Sequence, residues 1–267
     1  MSRISHTGRA VLALLLTIVI GLVPVACGLL VTLVHVQRQL DKTAQVSMNE
    51  AVYAIDRIID GLHDAAVKAL PLATQTCSEV ADQLRIRAMH HPSVRSLVLT
   101  RNNIAVCSTI LGELERKVRK EQYVNQRLAL IYDSLSSPGI PVLVYRLLDD
   151  DPGVIATALG RVLQSELLGF QGDLGLLLKF GTDFIWVDGD SHNGVMPSFI
   201  EHVDSLQSAK YGYLVQVGYP AGHTAHEFRL TLPLILPSLV LVGLLTAAFA
   251  YWGMSRNSKP AQAHAAR

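Results

Sequence analysis

Two apolar blocks without a charged residue lie near the two ends of the chain. The first runs over 25 residues, 10–34, and the second over 24 residues, 230–253. Because about 20 apolar residues suffice for a helix to cross a bilayer, each block is long enough to span a membrane. The first block is too long for the apolar core of a cleaved leader, and it lacks a small-residue cleavage site. The pattern therefore predicts two transmembrane helices.

The charged residues that flank the two blocks predict the orientation of the chain. Those in the two tails are all basic: Arg3, Arg9, Arg256, Lys259 and Arg267. Basic flanks stay on the cytoplasmic side, whereas long loops are translocated largely regardless of charge. We therefore predict cytoplasmic tails at 1–9 and 254–267, and one periplasmic domain at 36–229. The expected location is the inner membrane of a Gram-negative bacterium, with the lipid bilayer as first partner.

Apolar positions at helical spacing follow the first block directly. They recur in steps of three and four, which is the period of an α-helix, at Leu40, Ala44, Met48, Ala51, Ile55, Ile58, Leu62, Ala66 and Ala69. Pro71 should end this helix. The seam could pack on the domain's own sheet or against a second subunit of a homodimer. Asp56, Asp60 and Asp64 fall on another face and are interpreted as a solvated face.

Short β-branched runs after this helix predict strands. A hairpin is expected from Ser96–Thr100 and Ile104–Cys107, joined by an Asn-rich turn. Further strands are predicted at 142–148, 154–159, 174–180, 184–187 and 212–219, with helices at 161–170 and 195–206. The order predicts an α+β fold with a long N-terminal helix and one mainly antiparallel sheet. This predicted order of elements is similar to that of PAS-like extracytoplasmic sensor domains.

Composition and motifs narrow the function further. The 23 Lys and Arg nearly balance the 22 Asp and Glu, so no basic surface argues for nucleic acid as a partner. No nucleotide-binding, zinc-protease or nucleophile-elbow motif occurs. We therefore predict no catalytic residue, no metal site and no cofactor.

The cysteines carry the candidate chemistry. Cys27 lies in the first apolar block, while Cys77 and Cys107 lie in the predicted periplasmic domain. An oxidising compartment favours a bond between those two. By the loop-entropy model, such a bond stabilises the folded domain by about 3.6 kcal/mol. Spacing alone favours a structural staple over a redox switch, since most secreted disulfides stay oxidised.

Cys107-Ser108-Thr109, the earlier Cys77-Ser78, the long helix and the two apolar blocks resemble the CSS-motif sensor domain. Thr109 replaces the final Ser of the eponymous tripeptide and keeps its hydroxyl. The resemblance implies the periplasmic input of membrane-bound cyclic di-GMP phosphodiesterases, in which the cysteines sense thiol redox state. In that family a catalytic EAL domain follows the second span. Here the tail of 14 residues cannot hold one, so we expect no phosphodiesterase activity from this chain.

The resulting prediction is a redox-responsive periplasmic sensor module, linked to cyclic di-GMP by resemblance. Its expected partners are a thiol-oxidising system of the periplasm and a cytoplasmic or membrane signalling protein. Two alternatives stay open. One is a sensor that binds a small ligand and uses the disulfide only as a staple. The other is the truncated input part of a phosphodiesterase.

Overall fold

A computed structural model describes residues 3–118, 123–134, 137–147, 151–170, 172–192, 194 and 196–257. Residues 1–2 and 258–267 of the two predicted tails, residue 148 of one predicted strand and residue 195 of one predicted helix lie outside the described residues. The first element is helix α1, Arg3–Ala69. A single 3₁₀ turn, Leu70–Leu72, follows it. The prediction that the helix ends before Pro71 is thus confirmed, because proline cannot donate the next helical hydrogen bond.

The apolar seam of α1 is buried by the chain itself. From Ala44 to Ala69 every predicted seam residue is less than a tenth exposed. This observation favours packing of the seam on its own domain. Helix α2, Cys77–Met89, comes next and contacts the first three strands of the domain.

Six antiparallel strands form the first sheet. Their bounds are β1 Ser96–Arg101, β2 Ile104–Ser108, β3 Gly112–Lys117, β4 Leu128–Ser134, β5 Ser137–Arg146 and β6 Gly153–Leu159. The strand order is β3-β2-β1-β6-β5-β4, which makes β3 and β4 the two edges. Helix α3, Gly160–Phe170, follows β6 and contacts β5 and β6.

Five shorter antiparallel strands form a second sheet. They are β7 Gly175–Phe180, β8 Asp183–Trp186, β9 Gly189–Asp190, β10 Glu201–Gln207 and β11 Leu214–Tyr219. The strand order is β10-β11-β7-β8-β9. Helix α3 also contacts β8, where Gln164 donates to the carbonyl of Trp186 at 3.0 Å. Together with 41–70 and α2, the two sheets make one compact unit, residues 41–221.

The second compact unit joins residues 1–40 with the last helix, α4, His223–Asn257. Both helices are long and apolar enough to cross a membrane. They approach each other backbone to backbone at two glycines, since a Cβ on Gly21 would lie 2.8 Å from the carbonyl oxygen of Gly243. Small residues at such crossings are typical of helix pairs in membranes.

The structure confirms an α+β chain with a long N-terminal helix and antiparallel strands, and it corrects two expectations. The predicted single sheet is two sheets. The helix predicted at 195–206 is wrong, because this stretch ends in β10, an edge strand paired with β11. Phe199 precedes that strand and packs on the paired glycines Gly175 and Gly218, which leave room for its ring. This tertiary packing overrides the local helical pattern.

Candidate functional site

A disulfide joins Cys77 and Cys107, with their Cα atoms 5.3 Å apart. Cys77 is the first residue of α2. Its turn is fixed by a capping box, in which the backbone and hydroxyl of Thr76 both donate to the Glu79 carboxylate, at 3.2 and 2.7 Å. The hydroxyl of Thr76, followed by its backbone N–H, lowers the pKa of Glu79. Cys77 is half-buried, whereas Cys107 is 1% exposed.

The two residues after Cys107 fix the end of strand β2. The buried Ser108 hydroxyl accepts hydrogen bonds from the backbone N–H groups of Ile110 and Leu111, at 3.3 and 3.4 Å. The Thr109 hydroxyl accepts from the N–H of Leu97 in β1, at 3.2 Å. The hydroxyls of the predicted motif residues Ser108 and Thr109 therefore accept hydrogen bonds from the backbone and stabilise the turn. The hydroxyl that Thr109 shares with serine is one of these acceptors.

Arginines hold the connection between α1 and α2 in the same region. Arg101, at the end of β1, donates to the carbonyl of Ala73 at 2.7 Å and to that of Gln75. Arg87 of α2 donates to the carbonyl of Lys68 in the last turn of α1. The linker is thus tied to the first sheet by two charge-assisted hydrogen bonds from Arg101, and the disulfide adds a covalent tie at its end.

Cys107 and Ser108 serve opposite faces of the first sheet. Cys107 pairs with Leu99 and points to α2, while Ser108 pairs with Val98 on the other face. That other face carries a cavity of about 440 Å³. Its lining includes Val98, Ser108, Val144 and Ile155 from four different strands. The disulfide and the cavity therefore lie on opposite faces of the same sheet and are separated by its thickness.

The rim of the cavity is polar. Arg116 and Lys117 line it at the β3 edge, and Tyr132, Asp183 and His192 line it near the β4 edge. The Tyr132 ring stacks on His192 with 5.3 Å between ring centroids, and its hydroxyl lies 2.7 Å from the Ser191 hydroxyl. Burial raises the pKa of Tyr132 to about 12, so the phenol is neutral at physiological pH.

The aspartates of α1 correct the interpretation of a solvated face. Asp56 accepts from the hydroxyls of Ser208 and Tyr213, each at 2.8 Å, and Asp60 accepts from Tyr211 at 2.5 Å. Burial raises the pKa of both tyrosines, and their aspartate partners raise it further. Of the three, only Asp64 pairs along the helix surface, with Lys68 at 2.6 Å.

The structure brings Cys77, Cys107, Ser108 and Thr109 into one corner, while Cys27 is a free cysteine in α1. Sequence reasoning allowed for a small-ligand pocket but missed the residues that form the cavity and the arginines of the linker. The cavity residues are scattered over the whole sheet and gave no local signal. The capping box at Thr76–Glu79 could have been found from its spacing alone.

Geometry and topology define a class of protein first. Along the chain, an α+β domain with one disulfide is preceded and followed by helical segments that are apolar enough for a membrane. This order is typical of membrane-anchored input domains. The family model for the "CSS motif domain associated with EAL" matches residues 37–232, and the chain belongs to that family. A comparison with curated proteins finds no significant match.

Among solved structures, one similar chain is an extracellular ligand binding receptor from Desulfohalobium retbaense. The sequences are 8% identical and the TM-score is 0.43. The match covers 66% of this chain and 40% of that one.

Proposed function

We propose that this chain is the redox-responsive input module of a cyclic di-GMP signalling system, and that the Cys77–Cys107 bond is its switch. The observation that carries the proposal is the position of the bond. It ties the start of α2, eight residues after the end of α1, to the first residue of the Cys107-Ser108-Thr109 motif in β2. Breaking it removes the covalent link between the first sheet and the linker that follows α1, the helix that contains the first apolar segment.

Access to the two sulfurs differs, and this sets the course of reduction. A reducing thiolate reaches Cys77 first, because Cys107 is buried. Its sulfur bonds to Sγ of Cys77, the disulfide breaks, and Sγ of Cys107 leaves with the electron pair. A second thiolate then attacks the added sulfur and releases Cys77 as a thiolate, which a helix N-terminus stabilises. The two external thiols end as one disulfide.

Membrane anchoring belongs to the same proposal. Both apolar helices expose large apolar side chains, such as Leu12, Leu234 and Phe249, which are 66, 80 and 70% exposed. Soluble surfaces rarely carry such continuous apolar area, so these faces suit lipid. We propose two spans in the inner membrane, cytoplasmic tails and a PAS-like periplasmic domain. The output would be an EAL phosphodiesterase in the same protein or in a partner.

Redox titration of the full chain in lipid nanodiscs tests the switch. We expect a midpoint potential near the periplasmic poise, whereas a value below about −300 mV would mark a structural staple. Quenching the reaction early should trap the mixed disulfide on Cys77. A mixed disulfide on Cys107 would contradict the proposed order of attack.

Cross-linking tests the output. In a Cys27→Ala background, cysteines at Val11 and Gly253 report on the cytoplasmic ends of the apolar helices. Cys77→Ser with Cys107→Ser should change the cross-linking yield, and Ser78→Ala serves as the matched control. An unchanged yield would leave the bond without a signalling role.

A further inference from the structure

We propose that the cavity on the first sheet binds an elongated, largely apolar small molecule with one anionic group, of the carboxylate class. The site lies on the face opposite the disulfide, and the proposal does not depend on the redox role. Its volume of about 440 Å³ falls within the roughly 300–1,000 Å³ of small-molecule sites.

The lining explains the elongated shape. All six strands contribute to it, from Arg116 on the β3 edge to Tyr132 on the β4 edge. These two strands stand five inter-strand spacings apart in the sheet order, with about 4.8 Å per spacing. A ligand that fills the cavity therefore lies across the strands.

The floor is apolar. Val144 and Ile155 belong to a buried cluster, and the partly buried Val98, Val118 and Tyr123 pack against it. The buried hydroxyls of the floor, on Ser96 and Thr157, lie 2.7 Å apart and bond to each other. The centre of the cavity therefore suits a hydrocarbon body rather than a polar ring.

Positive charge dominates one end. Arg116 and Lys117 line the cavity at the β3 edge and are exposed, so their side chains are free to turn toward a ligand. Arg146 lies on the same face, because its register partner is Ile155, but it is buried and donates to the side-chain oxygen of Asn103 at 2.7 Å, so the exposed pair Arg116 and Lys117 is the proposed receptor. A guanidinium beside a lysine is a typical receptor for a carboxylate.

The opposite end carries a carboxylate, that of Asp183, which lines the cavity and accepts a hydrogen bond from the Ser191 hydroxyl at 3.2 Å. Burial raises the pKa of Tyr123 to about 12, as it does for Tyr132, so both phenols stay neutral at pH 7. The field along the cavity therefore favours an anion at the Arg116 end.

The test uses the full chain in nanodiscs of zwitterionic lipid, with empty nanodiscs to subtract partitioning. The probes are the ω-phenyl carboxylates from phenylacetate to 8-phenyloctanoate, each with its neutral amide as the matched partner. Calorimetric titration at pH 7 gives the affinities. We expect the acids to bind saturably, and the best acid to bind about tenfold or more tightly than its amide, which corresponds to a charge-assisted hydrogen bond.

Three variants locate the binding. Arg116→Gln with Lys117→Gln should abolish the difference between acid and amide without weakening the amide. Val98→Phe, which fills the floor, should weaken both probes. The matched control is Arg161→Gln, an exposed arginine of α3 outside the lining, and it should change neither affinity.

Disulfide content and the unfolding midpoint show that each variant is folded. The double glutamine variant changes only exposed side chains, so it remains informative if Val98→Phe does not fold. Equal affinities for acid and amide would overturn the proposal. So would the absence of saturable binding across the series, or an acid affinity that the double variant leaves unchanged.

Discussion

The two sheets of the domain are tied to the long helix by different chemistry. The six-stranded sheet meets α1 where the Tyr145 hydroxyl lies 2.8 Å from His63 Nδ1, and it is also joined to the linker after α1 by the disulfide and by Arg101. The turn that leads into β11 of the five-stranded sheet meets the last third of α1 through the hydroxyls of Tyr211 and Tyr213, which donate to Asp60 and Asp56. The disulfide of the first connection can be reduced by a thiol. The second connection depends on hydrogen bonds, which loss of the side chains would weaken.

This difference assigns separate tasks to the two regions. Hydrogen bonds to the half-buried carboxylates of Asp56 and Asp60 hold the helix in register whatever the redox state. The disulfide adds a constraint near the C-terminal end of α1. Its removal leaves the register of the helix unchanged. Reduction should therefore loosen the contacts of α2 with the first sheet, while the hydrogen bonds of Tyr211 and Tyr213 to α1 remain.

The largest expected effect comes from removing the covalent tie. Cys77→Ser with Cys107→Ser should lower the free energy of unfolding by about 3.6 kcal/mol, the loop entropy of the closed segment. A marginal domain of about 5 kcal/mol or more would still fold. Urea unfolding of the full chain in detergent measures the change. Cys27→Ser is the control and should leave the midpoint in place.

The next effect probes the other connection. Tyr213 is fully buried, and its hydroxyl also lies 3.0 Å from the carbonyl of Val52. Tyr213→Phe should cost about 1.5–3 kcal/mol, since a charged acceptor loses its donor. The same substitution at Tyr53, which is 72% exposed, should cost nothing measurable. Equal losses at the two positions would remove the distinction between the sheets.

A smaller effect is expected at the motif itself. Thr109→Val deletes the acceptor for the N–H of Leu97 and should cost about 0.5–1.5 kcal/mol. Thr109→Ser keeps the hydroxyl and should be close to neutral in the same unfolding assay. A valine variant as stable as the serine variant would show that the hydroxyl has no structural role.

The smallest effect is a dependence on pH. Burial opposes ionisation of Asp60, but hydrogen bonds from Tyr211 and Lys210 outweigh it and lower its pKa below the ordinary 3.8. The stabilisation is therefore complete at neutral pH and is lost as the pH falls through the lowered value. The free energies of unfolding of wild type and Asp60→Asn should converge as the pH falls well below the ordinary pKa of 3.8. The exposed Asp188→Asn provides the baseline, and a constant gap down to pH 2 would contradict the lowered pKa.

Local patterns predicted the elements that depend on local physics. The seam of α1 shows the helix period, and Pro71 marks its end. The hairpin at Asn102 and Asn103 has both residues at positive φ, 51° and 58°, as asparagine-rich turns allow. These features need only neighbours in sequence, so the sequence alone revealed them.

Elements that depend on distant partners were missed. Strand β3 is a charged edge, Gly112–Lys117, which only pairing with β2 makes a strand. Asp56 and Asp60 look solvated until the chain returns some 150 residues later with Tyr211 and Tyr213. The cavity collects side chains from every strand of its sheet. The cysteine corner could be predicted because a compartment and a motif pointed to it.

The capping box at the start of α2 has a kinetic consequence. Thr76 and Glu79 organise the first turn without help from the disulfide. After reduction, the first turn of α2 should therefore stay helical and keep the Cys77 sulfur near Cys107. The effective concentration of one thiol at the other is then high. Closing the bond again would then be fast and intramolecular. We expect a corner built this way to pass through many cycles of opening and closing without a refolding step.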